Sequence, residues 1–205
     1  MTDALVESLR TSILSGDFSP GDHLRQSDLA ERYGVSRIPL RDALGRLAGD
    51  GLVEFDQHRN ARVVQLNVDD VSEIYAIRVA LEPMAAERAV EQADDAASQQ
   101  LIQLSETMDY HAQDLVLGAK CRRDFYDTFY KLSGLERTHA TIMRMRDEIT
   151  LYHRTSLSEA TESHGSLRTC ISERDATGAF EVVQHHLVIA RDDLIDAIIT
   201  GSERT

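Results

Sequence analysis

The stretch GVSRIPLRDALGRLAGDGLV, residues 34–53, decides the fold. Leu40, Ala43, Leu44 and Leu47 recur at helical spacing and make one apolar stripe, the pattern of a helix with one buried face. Gly34 suits a tight turn before it, Ser36 stands where a helix cap belongs, and Gly51 ends it. Pro39 falls in the first turn, where a backbone N–H has no helical partner to lose. Arg37 and Arg41, four residues apart, flank the stripe. Each guanidinium can grip the O6 and N7 edge of guanine, or a phosphate, with two parallel hydrogen bonds. Ser36 offers a hydroxyl and the open N–H groups of a helix start to a phosphate.

On the N-terminal side, residues 3–15 form a helix candidate with Leu5, Leu9 and Ile13 in one stripe and Gly16 after it. The sequence Ser19-Pro20-Gly21-Asp22 reads as a turn. A short helix is expected over 27–33, ended by Gly34. On the C-terminal side, 52–55 and 61–64 read as two short strands around the polar tip Asp56-Gln57-His58-Arg59-Asn60. At that tip Arg59 is placed to reach the DNA backbone or minor groove, and Asn60 is expected to take the left-handed conformation of a tight tip. Two helices joined by a glycine turn and followed by a hairpin make a winged helix-turn-helix.

From Asp69 onward nothing resembles a strand. Helical periodicity covers 69–93, 96–114, 116–133, 136–156, 160–173 and 175–199, with Asn67 placed to cap the first of these. Pro83 lies inside a helical pattern and is expected to kink or restart it. The expected fold is mainly α. A winged helix-turn-helix over 1–65 and a connector over 66–70 lead to an all-helical bundle over 71–200.

Composition narrows the function. With 42% hydrophobic and 28% charged residues in 205, the chain is globular rather than disordered. No run approaches the roughly eighteen apolar residues of a membrane span. Cys121 and Cys170 have no metal-ligand or redox spacing, which suits a reduced, cytoplasmic protein without a leader. The net charge of −13 argues against a chain coated in nucleic acid. Residues 1–65, however, hold eight Arg against ten acids, while the rest holds fourteen basic against twenty-five acidic residues. A nucleic-acid footprint therefore belongs in the first third and is local. An arginine pair alone is most often a solvated helix face. The glycine turn, serine, arginine spacing and hairpin together favour DNA reading.

The stretch LRTSILSGDFSPGDHLRQSDLAERYGVSRIPLRDALGRLAGDGLV closely resembles the DNA-binding domain of the GntR family of bacterial regulators. The resemblance implies DNA contacts by Arg37 and Arg41, supported by Ser36 and Arg25. Asn60 stands where the family usually has glycine. Residues 70–200 resemble the FCD-type effector domain of the FadR branch, through IYAIRVALEPMAAERA with Arg78 and Glu82, FYDTFYKLSG, and the HGSL, RDATGAF and HHL segments.

Many members of that branch hold a divalent metal through an Asp, a His four residues on and two later His, and small carboxylates bind on the metal. Carried over, those positions are Arg122, Tyr126, His164 and His186. Two imidazoles without a carboxylate, beside a guanidinium, make a poor cation site. No cofactor is expected, and any residual metal would rest on His164 and His186. The expectation is that Arg122 replaces the cation and clamps a ligand carboxylate, with Tyr126, His164, His186 and Arg78 as hydrogen-bonding partners. The competing view has Arg122 reaching solvent, Arg78 paired with Glu82, and the histidines satisfied in the core.

The expected function is a bacterial transcription regulator, a repressor, controlled by a small carboxylate effector. It would bind double-stranded DNA at an inverted-repeat operator as a homodimer, with no membrane partner. The rivals are a metal-dependent regulator of the same kind and an enzyme with an N-terminal interaction module. Against the enzyme, the sequence has no nucleophile–base spacing, no phosphate-cradling glycine loop and no complete metal triad.

Overall fold

A computed structural model describes residues 2–150, 152 and 158–202. The element order is α1 (Thr2–Leu14), β1 (His23–Leu24), α2 (Gln26–Arg32), α3 (Arg37–Gly49), β2 (Val53–Phe55), β3 (Ala61–Val63), α4 (Val68–Gln92), α5 (Asp95–Tyr110), α6 (Leu115–Lys131), α7 (Glu136–Thr150), α8 (Ser158–Glu173) and α9 (Ala176–Ser202). Two compact units result. One is Met1–Leu66 with Arg146–Leu151, and the other is Asn67–Met145 with Tyr152–Thr205.

In the first unit, α3 is anchored by its stripe: Leu40, Ala43, Leu44 and Leu47 have no exposed surface, and neither do Leu9 and Ile13 of α1. Burying one such side chain contributes about 1.5–3 kcal/mol, so the rotation of α3 about its axis is fixed by the core. Gly34 has φ +63 and nothing within 4 Å of a Cβ built on it. Its role is therefore conformational: it turns the chain sharply between α2 and α3, where an L side chain is disfavoured.

The sheet has three strands in the order β1-β3-β2, all antiparallel, with His23 opposite Arg62, Leu24 opposite Ala61, and Val53 opposite Val63. The sequence reading expects only the hairpin. The added strand β1 is two residues long and carries no periodicity to read. The tip also differs from expectation. Arg59, not Asn60, takes the left-handed conformation, with φ 62. Asn60 instead ties the tip through its side chain, its Nδ2 donating to Asp56 Oδ2 at 2.8 Å. Asp56 Oδ1 accepts from the backbone N–H groups of His58 and Asn60, each at 2.8 Å. The hydrogen bonds from Asn60 hold the Asp56 carboxyl below its ordinary pKa.

The same unit contains a buried cation that the sequence reading did not single out. Arg10, 5% exposed, donates to Asp50 at 2.5 Å and to Asp147, itself buried. A guanidinium in the core is tolerable when its charge is matched by nearby carboxylates.

All the regular secondary structure among the described residues of the second unit is helical. Asn67 caps α4 as expected. Its Oδ1 accepts from Asp69 N at 2.8 Å and Asp70 N at 3.0 Å, while Asp70 Oδ2 accepts from Asn67 N at 2.9 Å, a reciprocal capping box. The connector expected over 66–70 is thereby shortened, because this box starts the helix at Val68. Pro83 does not end α4, which runs unbroken for 25 residues. The expected helix over 136–156 is described to Thr150, and residues 151 and 153–156 lie outside the described residues. Helix α4 packs on α9 and α6, α5 on α6 and α8, and α8 on α9. The core holds Tyr75, Leu101, Phe125, Phe129, Tyr130 and Leu187.

The two exposed glycines near and within α3 should respond oppositely to alanine. Gly34→Ala should lower unfolding free energy by about 1–2 kcal/mol. Gly45→Ala, in a helix interior with nothing within 4 Å, should raise it by roughly 0.5–1 kcal/mol. Urea denaturation of both variants measures the difference, and equal destabilisation would contradict this account of the turn.

Candidate nucleic-acid interface and helical-unit site

Because the core fixes the rotation of α3, its first residues emerge at the surface. Ser36, Arg37 and Arg41 are all exposed. Ser36 occupies the cap position with extended backbone, φ −76 and ψ 165, but its side chain makes no capping hydrogen bond. The first N–H groups of α3 thus have no side-chain cap from Ser36, and its hydroxyl is not spent on them.

An open groove of about 510 Å³ lies beside this helix start, lined by His23, Arg25, Gln26, Ser27, Arg37 and Asn60 among others. Three of the residues predicted from sequence, Arg25, Arg37 and Asn60, are therefore brought together. Arg25 enters from the position preceding α2. Ser36, Arg41 and Arg59 do not line the groove. Arg41 lies one turn further along α3, and Arg59 sits at the exposed wing tip. His23, Gln26 and Ser27 are additions to the sequence reading: β1 pairing with β3 carries His23 beside Arg62, and the other two open α2.

The electrostatics separate the eight arginines of residues 1–66 into two sets. Arg10 pairs with Asp50 and Asp147, Arg32 with Asp17 at 2.6 Å, Arg46 with Asp3 at 2.5 Å and Arg62 with Glu54 at 2.8 Å. Arg46 also holds the Asp3 carboxyl below its ordinary pKa through that hydrogen bond. Arg25, Arg37, Arg41 and Arg59 form no ion pair among the described residues, and all four are exposed. These are the four arginines assigned to DNA from sequence. Free, exposed guanidiniums around an uncapped helix start form a surface suited to polyanionic phosphates and guanine edges.

In the second unit, four of the five predicted effector residues join in one row. Arg78 Nε donates to Glu82 Oε1 at 2.6 Å and the Tyr130 hydroxyl donates to Glu82 Oε2 at 2.7 Å, all buried. Burial opposes the charge on Arg78, but Glu82, Tyr75 and Tyr130 outweigh it and raise its pKa above the ordinary arginine value. Its guanidinium lies over the Tyr75 ring, 4.6 Å from the centroid. Its Nη1 is buried and makes no hydrogen bond among the described residues.

Tyr126 stacks on Tyr130 at 5.8 Å. Its ring also lies 6.3 Å from that of His164, which is 6.3 Å from that of His186. His185 is exposed and His186 is half-buried. The fifth predicted residue, Arg122, is half-buried on α6, one turn before Tyr126. Asp109 and Arg168 were missed from sequence. Asp109 Oδ1 accepts from His164 Nδ1 at 3.3 Å, and Oδ2 from Arg168 at 2.5 Å. On the same helix as Tyr126, Asp127 Oδ1 pairs with His139 Nε2 at 3.0 Å. Among the described residues no three His, Cys, Asp or Glu side chains gather as metal ligands. Burial raises the pKa of both cysteines, Cys121 and Cys170, so neither is an activated thiolate.

No helix among the described residues is long and apolar enough to cross a membrane. Residues 1–63 match the family described as bacterial regulatory proteins, gntR family, and residues 73–188 match the FCD domain. The regulator YdhC of Bacillus subtilis is 39% identical over 87 residues, which is 42% of this chain and 39% of that protein. The repressor RspR of Escherichia coli is 25% identical, over 87% of this chain and 82% of its own. Escherichia coli McbR/YncC has the same fold, with a TM-score of 0.83, 22% identity, and coverage of 96% of this chain and 97% of the other. The free arginines at an exposed α3 edge and the helical unit that follows in the chain are thus the two parts of one known design: the chain belongs to the gntR family of bacterial regulatory proteins, as a DNA-binding transcription regulator carrying an FCD domain.

Proposed function

We propose that this regulator is a cytoplasmic homodimeric repressor that leaves its operator, or grips it, according to a small carboxylate bound in the helical unit. The observation that carries the DNA half is the division of the arginines: four neutralised by acids, four left for phosphate and base. One winged unit makes few base contacts, so symmetric pairing on an inverted repeat is the natural route to useful affinity. The name of the relative RspR, a transcriptional repressor, supports repression.

For the effector half, the supporting features are the buried Arg78 with its open Nη1 and the row through Tyr126, His164 and His186. Arg122, at a position where many relatives place a metal-binding carboxylate, is the proposed clamp. A bound metal fits this donor set poorly. Only two imidazoles, His164 and His186, remain of the family's ligand positions, beside the Arg122 guanidinium, and the nearby Asp109 carboxylate is already held by His164 and Arg168. A ligand acts on DNA binding only by favouring one arrangement of the dimer over another.

In a gel shift with the promoter of its own gene, Arg37→Ala/Arg41→Ala should weaken retardation by at least about tenfold, since a bidentate base contact contributes about 1–3 kcal/mol. Arg32→Ala and Arg46→Ala, which remove paired arginines, should bind almost as the parent does. The slope of log affinity against log salt should fall by about one for each phosphate no longer neutralised. Equal weakening in the two sets of variants would remove the charge argument.

The clamp is tested by calorimetry with a panel of small mono-, di- and tricarboxylates. Any acid bound by the parent should bind about tenfold or more weakly to Arg122→Ala, and unchanged affinity would eliminate Arg122 from the site.

A further inference from the structure

Helix α3 carries one apolar residue that its core does not use. Leu40, Ala43, Leu44 and Leu47 are completely buried, whereas Ile38 is 69% exposed. At about 100° per residue, Ile38 points almost directly away from the centre of the buried stripe. It follows Arg37, which lines the groove, and precedes the free Arg41 by one turn. Further along the same outward side stand the exposed Asp42, one turn on, and then Gly45, with nothing within 4 Å of a Cβ built there.

We propose that Ile38 reads the 5-methyl group of a thymine in the major groove. The inference rests on the DNA-binding reading of α3 and adds a base preference to it. Arginine contacts alone select guanine or grip phosphate, and neither detects thymine. Of the groups displayed in the major groove, the thymine methyl is the apolar one. A β-branched side chain with few accessible rotamers, held on the outward line of a rigid helix beside two guanidiniums, is suited to cover it. The two flanking cations face the phosphate-rich surface that would bring that groove to the residue, which favours duplex DNA over an apolar protein partner.

The experiment uses the full chain and a duplex selected by it from a randomised library. Each thymine of the selected half-site is then replaced singly by uracil, which keeps the adenine pairing and removes only the methyl group. The parent protein should lose about three- to tenfold in affinity at one or two positions, in line with the burial of a single methyl group and its surroundings. Ile38→Ala should bind the thymine duplex as weakly as the parent binds the uracil one, and should be indifferent to the replacement. Because Ile38 lies outside the core, its variant should keep the parent's melting temperature.

Uracil tolerated at every position by the parent overturns the proposal. So does a thymine preference that persists in Ile38→Ala. Failure to select any duplex overturns the DNA-binding reading itself, an outcome distinct from the other two.

Discussion

The constraint on which the first unit depends is that α3 must bury one side completely and leave its opposite edge bare. The four stripe residues and the α1 residues Leu9 and Ile13 have no exposed surface, so turning α3 would lift several apolar side chains into water. Each would cost about 1.5–3 kcal/mol, far more than any single surface contact returns. Arg37, Ile38 and Arg41 are therefore presented outward by the packing behind them, before any partner is met. Gly34 supplies the sharp entry, and Ser36 leaves the helix start without a side-chain cap. A capped and covered α3 would be a better helix and a worse reader.

Charge is divided with the same logic. A chain of net charge −13 is repelled by nucleic acid at long range, and salt screens charges beyond about 8–10 Å. What remains is local. Asp3, Asp17 and Glu54 each hold one arginine away from the edge that α3 presents, and Asp50 and Asp147 hold Arg10 in the core. Arg25, Arg37, Arg41 and Arg59 remain. The acids thus spare the protein indiscriminate binding without neutralising the groove.

Much of this was legible because it is written locally. The stripe of α3, the glycine turn, the Asn67 cap and the six helices of the second unit all lie within windows of a few turns. The features that escaped share a different property. Strand β1 exists only because β3 lies beside it. Asn60 looked like the residue to bend the tip, yet Asp56 recruits its amide, and the bend passes to Arg59. Asp109 gains meaning from residues 55 and 59 positions away, and Arg10 from residues 40 and 137 positions away. No periodicity or cap links such pairs.

The pair Arg78 and Glu82 shows why spacing alone understates a site. Four apart on a helix, they read as a routine surface pair whose contribution is a few tenths of a kcal/mol. In the fold they are 3% and 1% exposed, and in that setting a lone pair is a poor source of stability because desolvation consumes its attraction. Glu82 is fully committed, one oxygen to Arg78 and the other to Tyr130. Arg78 is not, for its Nη1 is buried without an acceptor among the described residues. Hydrophobic residues of equal volume would fill this space at no such cost, so stability does not account for the arrangement. A cation kept charged in the core, with its Nη1 without an acceptor among the described residues and an aromatic–imidazole row linked to it through Tyr130, fits the proposed arrival of an acceptor from outside. It is the feature of this unit on which the proposed carboxylate effector rests.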